Sequence, residues 1–427
     1  MLNLEDYNGE FKPDLKLTDF DKDVLVRLWH ASARNYGQRT GEWHRLIRDR
    51  YGEQTAREVV RNEVWQHQNR MLNIESRLDA EALNFKDRDL IGFVKSLQWD
   101  PGQQGFLDTE VELVNGNPYH ARVTIPKCWI YDYCWQSGDF DYLDSTCDLD
   151  LHGYQEIGRW FHPHIKTVFL KGPSKDKKDD IACQYEFFIP GKTGKVEVMP
   201  LKDYSGPELK DYSGDFMSGQ NTDETAKKFS KESLAAITEA GGRLTGIVDG
   251  IYTSVCQLKW DRELAYEMEK EQWQRTVRVD MRRVRQAVGI EGDDVATLFK
   301  CYQCMPAFVV RCPDVEYDLK NETHGILTIK QCRSLDYCVR HGQDALQKHL
   351  CESLDAEGFQ EMANCVNPGI KVIPLKLPAR QRNAWNLWFE EGITGQGACK
   401  AVAKELLVRT DWPGLEPIAC QWEFRMQ

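Results

Sequence analysis

Two stretches of this chain carry the same reactive residue types in the same order. His120-Ala-Arg-Val-Thr-Ile-Pro-Lys-Cys128 is matched by His324-Gly-Ile-Leu-Thr-Ile-Lys-Gln-Cys332. Both continue as C-x-x-x-D-Y-C, through Asp132 to Cys134 and through Asp336 to Cys338. On a helix, a thiol and a carboxylate four residues apart share a face. Tyr131 and Trp135 lie on that face in the first stretch, Leu335 and Val339 in the second. A carboxylate by itself raises a thiol's pKa, so a nucleophilic Cys128 or Cys332 needs a basic group beside it. His120 and His324, on the preceding strand, are the candidates. Glu156 and Glu361 are candidates to orient or assist. The competing reading packs Cys128 as an apolar residue and uses Asp132 as a cap or pairing partner.

The match extends beyond these segments. Cys147 corresponds to Cys351, Gly153-Tyr-Gln-Glu156 to Gly358-Phe-Gln-Glu361, and His162-Pro-His-Ile-Lys166 to Asn367-Pro-Gly-Ile-Lys371. Ala182-Cys-Gln-Tyr-Glu-Phe187 corresponds to Ala419-Cys-Gln-Trp-Glu-Phe424, and upstream Glu63-Val-Trp65 to Glu271-Gln-Trp273. Collinear blocks at this long period indicate duplication of a whole domain rather than a solenoid. The first copy spans 1–190 and the second 230–427, joined by a polar linker at 191–229 with a short internal echo, LKDYSG. An insertion at about 381–417 interrupts the second copy before its last strand. Its place makes it a candidate lid, with solvent-facing decoration as the default.

Each copy opens with apolar residues at helical spacing (Leu25, Leu28, Trp29 and Tyr36 in the first) and then changes to alternating, strand-like patterns. The expected fold class is α+β: two tandem homologous domains, each with N-terminal helices packed on a mainly antiparallel sheet, together an intrachain pseudo-dimer. In the closing strands, Cys183 and Tyr185 share one side, as do Cys420 and Trp422. Tyr131, Trp135, Cys183, Tyr185, Cys420 and Trp422 are therefore the candidate substrate-binding residues, with core filling as the plainer role. For a metal, Cys338 with Glu361 and Cys365 is a candidate zinc set in the second copy. Its first-copy equivalents, Cys134, Glu156 and Trp160, are incomplete, and the Cys301-x-x-Cys304 spacing is not repeated.

The totals narrow the function classes. A net charge of −12 disfavours nucleic acid as a partner. The opening MLNLEDYNGEFKPDLKL has neither a basic start nor an apolar run, and no stretch approaches a membrane span, so a soluble cytoplasmic protein is expected. The 14 cysteines then read as thiols or metal ligands rather than disulfides. Phosphate-binding loops, nucleophile elbows and H-E-x-x-H helices are absent from the sequence.

The opening G-E-W-x(8)-Y-G, the E-V-W, the strand leading into a cysteine-led helix, the G-[YF]-Q-E segment and the closing A-C-Q-[WY]-E-F strand together resemble the L-2-amino-thiazoline-4-carboxylic acid hydrolase-like family. That family is similar to vinyl reductase-type small-molecule-binding domains. The resemblance covers nearly all of the chain outside the linker and insertion. It implies a buried pocket between helices and sheet, and either ring-opening hydrolysis or the binding of a small, often aromatic, molecule. It also implies pairing, within the chain or as a homo-oligomer, and a zinc near the pocket in some sensory relatives. The first expectation is thus a hydrolase of a C–N or C–S bond in a small cyclic or amide-like substrate, with Cys128 or Cys332 attacking. The alternative is a binding or sensing protein without turnover.

Overall fold

The computed structural model describes residues 2–64, 88–100, 102, 107–178, 181–194, 226–227, 229–378 and 419–426. Trp65, most of the linker and the whole insertion, with its expected helix, lie outside the described residues. The chain divides into two compact units. The first contains 1–7, 16–289 and 304–307, and the second 8–15, 290–303 and 308–427. These units do not follow the repeat boundaries, because the long helices that open the second copy belong to the first unit.

In the first unit, α1 (Lys22–Tyr51) begins where Asp21 Oδ1 accepts from the Val24 amide at 2.8 Å and ends at Gly52, whose φ of 85° a side chain resists. A short α2 (Glu53–Val59) follows and runs into a π-helical turn, Val60–Val64. The next described helix is α3 (Leu90–Gln98). Strands β1 (Leu107–Leu113) and β2 (His120–Cys128) lead to α4 (Trp129–Ser137) and α5 (Phe140–Phe161). Strands β3 (Lys166–Lys171) and β4 (Cys183–Phe188) complete the first sheet. Two long helices, α6 (Lys231–Lys259) and α7 (Arg262–Val288), finish the unit.

The sheet is wholly antiparallel, in the order β1-β2-β4-β3. Burial alternates along β1 and β4, with Cys183, Tyr185 and Phe187 facing inward. The helices that cover the sheet are α3, against β1 and β2, and α5, against β3. This corrects the expectation that each copy's opening helices lie on its own sheet. Helix α1 packs instead along α6 and α7. Each of these helices carries an apolar stripe too broad for one neighbour, and together they bury Trp43, Leu46, Ile47, Val248, Tyr252, Val255 and Met268. Trp43 and Tyr252 stack at 5.4 Å. At the centre of this layer, buried Arg39 donates to Asp249 Oδ2 at 2.5 Å and to Asp280 Oδ2 at 2.9 Å, while Trp43 Nε1 donates to Asp249 Oδ1. Burial pushes Asp249 up to about 6 in spite of Arg39.

The second unit contains α8 (Val295–Cys304, its last residue grouped with the first unit) and α9 (Pro306–Arg311, its first two residues likewise), then β5 (Asp314–Asn321) and β6 (His324–Gln331). Helix α10 (Arg333–His341) follows. Next, α11 (Asp344–Lys348) continues through a π-helical segment, His349–Leu354, into α12 (Asp355–Val366). Strands β7 (Ile370–Lys376) and β8 (Cys420–Met426) close a second antiparallel sheet in the order β5-β6-β8-β7. Residues 8–15 of the chain join this unit. There Phe11 sits 6.0 Å from both Phe299 and Tyr317, and Lys300 and Gln303 donate to the carbonyls of Gly9 and Lys12.

The two sheets share strand order, register and small details. Gln184 Nε2 donates to Thr124 Oγ1 as Gln421 Nε2 does to Thr328 Oγ1. The glutamine of G-[YF]-Q-E pins the neighbouring strand in both. Gln155 donates to the Ile165 carbonyl and accepts from the Thr167 amide, and Gln360 does the same with Ile370 and Val372. His162 and Asn367 serve one turn, each accepting from the amide two residues on. The α11–α12 helix is 5, 6 and 12 residues in its three parts, one more in total than the 22 of α5, and its π-helical segment takes up that residue.

Candidate functional site

The strand-to-helix cysteine lies at the same place in both sheets. Cys128 ends β2 and N-caps α4 with φ −135° and ψ 118°; Cys332 follows β6 and N-caps α10 with φ −133° and ψ 116°. Helix amides and the positive end of the helix dipole surround both sulfurs, an arrangement that favours a thiolate. The closing strand brings a second thiol close, since Cys183 pairs opposite Ile125 and Cys420 opposite Ile329. The long helix contributes a third thiol and a carboxyl: Cys147 and Asp150 in the first unit, Cys351 and Asp355 in the second.

The first cluster is neutral. Cys128 keeps some contact with solvent, and Tyr131 N donates to its Sγ at 3.5 Å, yet burial pushes its thiol up to about 12. Cys147 and Cys183 are raised well above the ordinary value for the same reason. Burial, with Asp100 adding to it, lifts Asp150 to about 7.

The second cluster is polarised. Arg311, at the end of α9, grips Asp355 with both arms of its guanidinium, Nη1 to Oδ1 at 2.7 Å and Nη2 to Oδ2 at 2.9 Å, and its Nε donates to Ser334 Oγ at 3.1 Å. Burial works against the guanidinium's charge, but Asp355 and the adjacent thiols more than offset it, so Arg311 ends well above its ordinary value. Cys312, next in the chain, donates its thiol hydrogen to Cys332. That bond, aided by Arg311, holds the Cys332 thiol below its ordinary value against burial, while Cys312 is raised in return. Cys351 and Cys420 remain protonated through burial. Arg311, Cys312, Cys332, Cys351, Asp355 and Cys420 line one small void with Phe308, Ile329, Leu335 and Phe359. Its free space is about 10 Å³, room for one water.

The histidines are elsewhere. His120 and Cys128 stand at opposite ends of β2, about 26 Å apart at roughly 3.3 Å per residue, and His324 and Cys332 are separated in the same way. Each histidine instead forms a cross-strand pair on the outer face. His120 Nε2 lies 3.1 Å from Glu186 Oε2, and His324 Nε2 lies 2.9 Å from Glu423 Oε1. Burial opposes charge on these glutamates, but bonds from Arg122 and His120, and from Arg425 and His324, outweigh it and hold both below the usual carboxylate range. Neither histidine is placed to activate its cysteine.

The other anticipated residues divide similarly. Asp132 pairs with Lys178 at 2.6 Å, and Asp336 stands partly exposed one turn into α10. Glu156 pairs with Arg159 on the surface, and Glu361 accepts from Asn364 Nδ2 at 3.1 Å. Tyr131 donates its hydroxyl to the Ser174 carbonyl at 3.0 Å, and Trp135 packs edge-on against Phe140 at 5.5 Å. Tyr185 packs on Tyr154 at 5.1 Å. Trp422 Nε1 donates to Cys420 Sγ at 3.2 Å and its ring meets Phe359, a wall of the void. Cys183 and Cys420 are therefore beside their clusters. Of the first copy's aromatic residues, Tyr131 and Tyr185 are buried in its core and Trp135 is half-buried.

Among the described residues, no three His, Cys, Asp or Glu side chains come close enough to hold a metal. Cys338, Glu361 and Cys365 are thus not a zinc set. Cys338 is instead buried in α10 with its thiol pushed up to about 11. Also among the described residues, no helix is long and apolar enough to cross a membrane.

Arg311, Cys312, Asp355 and Asp150 were not singled out from the sequence. Counted from the matched histidines, Arg311 and Cys312 fall opposite Leu107 and Asp108, so no repeat marks them. Asp150 and Asp355 do correspond, but the extra residue of the π-helical segment shifts their spacing by one. Compared with known proteins, the chain matches no family model, and no curated protein or solved structure matches it either.

Proposed function

We propose that the chain is a cysteine-dependent hydrolase of a C–N or C–S bond in a small cyclic or amide-like substrate, and that its working site is the thiol cluster of the second unit. The observation that carries this reading is the acidified Cys332 beside the Arg311–Asp355 pair on an enclosed void. Cys332, as thiolate, adds to the electrophilic carbon of the ring. Arg311, held by Asp355, presents its remaining N–H groups to the charge developing on the attached heteroatom. Cys312, bonded to Cys332, is placed to return a proton to the leaving nitrogen or sulfur. Water then releases the acylated cysteine. The void holds one water, far below the ~300 Å³ or more of a small-molecule pocket, so turnover requires the walls to part.

The resemblance to the thiazoline hydrolase-like family supplies the first substrate to try. Incubating the full chain with L-2-amino-thiazoline-4-carboxylate and a panel of cyclic amides is expected to give ring-opened product that Cys332→Ser abolishes. Product from the wild type that Cys332→Ser leaves undiminished would refute the proposal, as would the absence of ring opening across the panel.

A further inference from the structure

We infer that Cys312 and Cys332 are a thiol pair that peroxide closes to a disulfide, clamping the open end of the β5–β6 hairpin. The open end of the hairpin brings them near each other. Asp314 opposite Gln331 is its last pair, and Cys312 and Cys332 stand two residues and one residue beyond it. That is one residue off direct opposition, so the cross-link rests on the contact of the two sulfurs rather than on the strand register. The two thiols are hydrogen-bonded to one another, both are buried, and both line the same void. The void holds about one water, so peroxide, a molecule of two oxygens, reaches the pair only as the walls part.

The reaction has two steps. The Cys332 sulfur attacks one oxygen of hydrogen peroxide, the O–O bond breaks, and the departing hydroxide leaves as water with the Cys332 proton. Cys332 is now a sulfenic acid. The Cys312 sulfur then attacks the Cys332 sulfur, the S–O bond breaks, and a second water leaves with the Cys312 proton. Two thiols together lose two electrons and two protons, and one peroxide becomes two waters.

The neighbouring thiols do not compete equally. Cys420 is engaged by Trp422 Nε1, and burial keeps Cys351 protonated. The first sheet supplies an internal control, because Cys128 pairs across its hairpin with Leu107 rather than with a thiol.

The disulfide does not depend on what the site turns over; only its effect on turnover rests on the proposed function. The full chain is treated with hydrogen peroxide, its free thiols are blocked, and the unreduced digest is read by mass spectrometry. The expected product is a Cys312–Cys332 cross-linked peptide, about 2 Da lighter than the two thiol peptides summed and reversed by dithiothreitol. In Cys312→Ser, the oxidation is expected to stop at a Cys332 sulfenic acid that dimedone traps. A wild-type digest with both thiols still free overturns the inference, as does one with Cys332 joined to Cys351 or Cys420. If the cross-link forms and ring-opening turnover continues unchanged, the thiol pair stands and the proposed function falls.

Discussion

Cys128 and Cys332 occupy equivalent positions, end equivalent strands and cap equivalent helices with nearly the same backbone angles, yet they differ in acidity. Burial drives Cys128 up to about 12, while Cys332 falls below its ordinary value. A helix N-terminus and a cap geometry are thus insufficient to make a thiolate inside a protein. The difference comes from two residues supplied by the segment before the hairpin: Cys312, which donates to the sulfur, and Arg311, which adds a positive charge fixed by Asp355. In the first unit the corresponding carboxyl, Asp150, has no such arginine among the described residues and is pushed towards its neutral form. The shared fold sets where the sulfur goes; residues outside the repeat set its charge.

The comparison breaks most sharply at Arg311. Arg311→Met leaves the half-buried Asp355 without its bidentate partner, which costs about 2–3 kcal/mol because both side chains keep some contact with solvent. Urea denaturation should show that loss, and the Cys332 thiol should become a weaker acid, by less than the loss of Cys312 would cause. If Cys332 keeps its reactivity at neutral pH in this variant, Arg311 does not contribute to the difference.

The two carboxyls should then respond with opposite sign. Asp355→Asn removes the charge that holds Arg311, which keeps some contact with solvent, and destabilises by about 1–2 kcal/mol. Asp150 has a folded-state pKa of about 7, above the ordinary 3.8. The fold therefore holds the Asp150 proton more tightly than the unfolded chain does. That contribution is fully present below pH ~4 and is lost as the pH rises through 7. Asp150→Asn should leave stability at pH 4 unchanged and raise it at pH 8 by about 2 kcal/mol, a figure reduced for the side chain's remaining contact with solvent. Melting curves at the two pH values read both effects, and a destabilised Asp150→Asn at pH 8 would contradict the account of the first cluster.

Thiol labelling tests the cysteines themselves. Iodoacetamide alkylates thiolates, so labelling of Cys332 should level off near neutral pH while that of Cys128 is still rising at pH 10. Because Cys332 is buried and Cys128 keeps some contact with solvent, the shape of each pH profile rather than the absolute rate is the readout. Peptide-resolved mass spectrometry after timed labelling separates the two, and superimposable pH profiles would remove the basis for placing chemistry in the second unit.

What the sequence made legible follows from what repeats. Alternation and spacing located the described strands other than β5, and the strand-to-helix cysteines; Ala307–Val310 also alternates like a strand, but it lies in α9, and β5 begins only at Asp314. Three features were not legible. The His–Cys spacing looked like a catalytic pair, but an extended strand carries the two side chains far apart, and the histidines serve Glu186 and Glu423 instead. Asp150 and Asp355 were hidden by a single inserted residue that the second helix stores as a π-helical turn. Arg311 and Cys312 lie outside any repeat and reach the site only through the hairpin's fold. The packing of α1 on α6 and α7 was likewise invisible, since an amphipathic stripe shows that a helix is covered and does not name its partner.

The smallest predicted effect concerns what the two units share. Gln155 and Gln360 each tie a helix to the start of an edge strand through the same pair of bonds, one to a carbonyl and one from an amide. Both sites are partly buried, and water can reach the freed groups in part, so each Gln→Ala change should cost about 1 kcal/mol. The two values should agree within about 0.5 kcal/mol, because the geometry and surroundings of the glutamine repeat even though those of the cysteine do not. Hydrogen exchange at the Thr167 and Val372 amides gives the local reading, with protection falling by about fivefold at each for a loss of that size. A large effect in one unit and none in the other would mean that the likeness of the two sheets ends at their backbones.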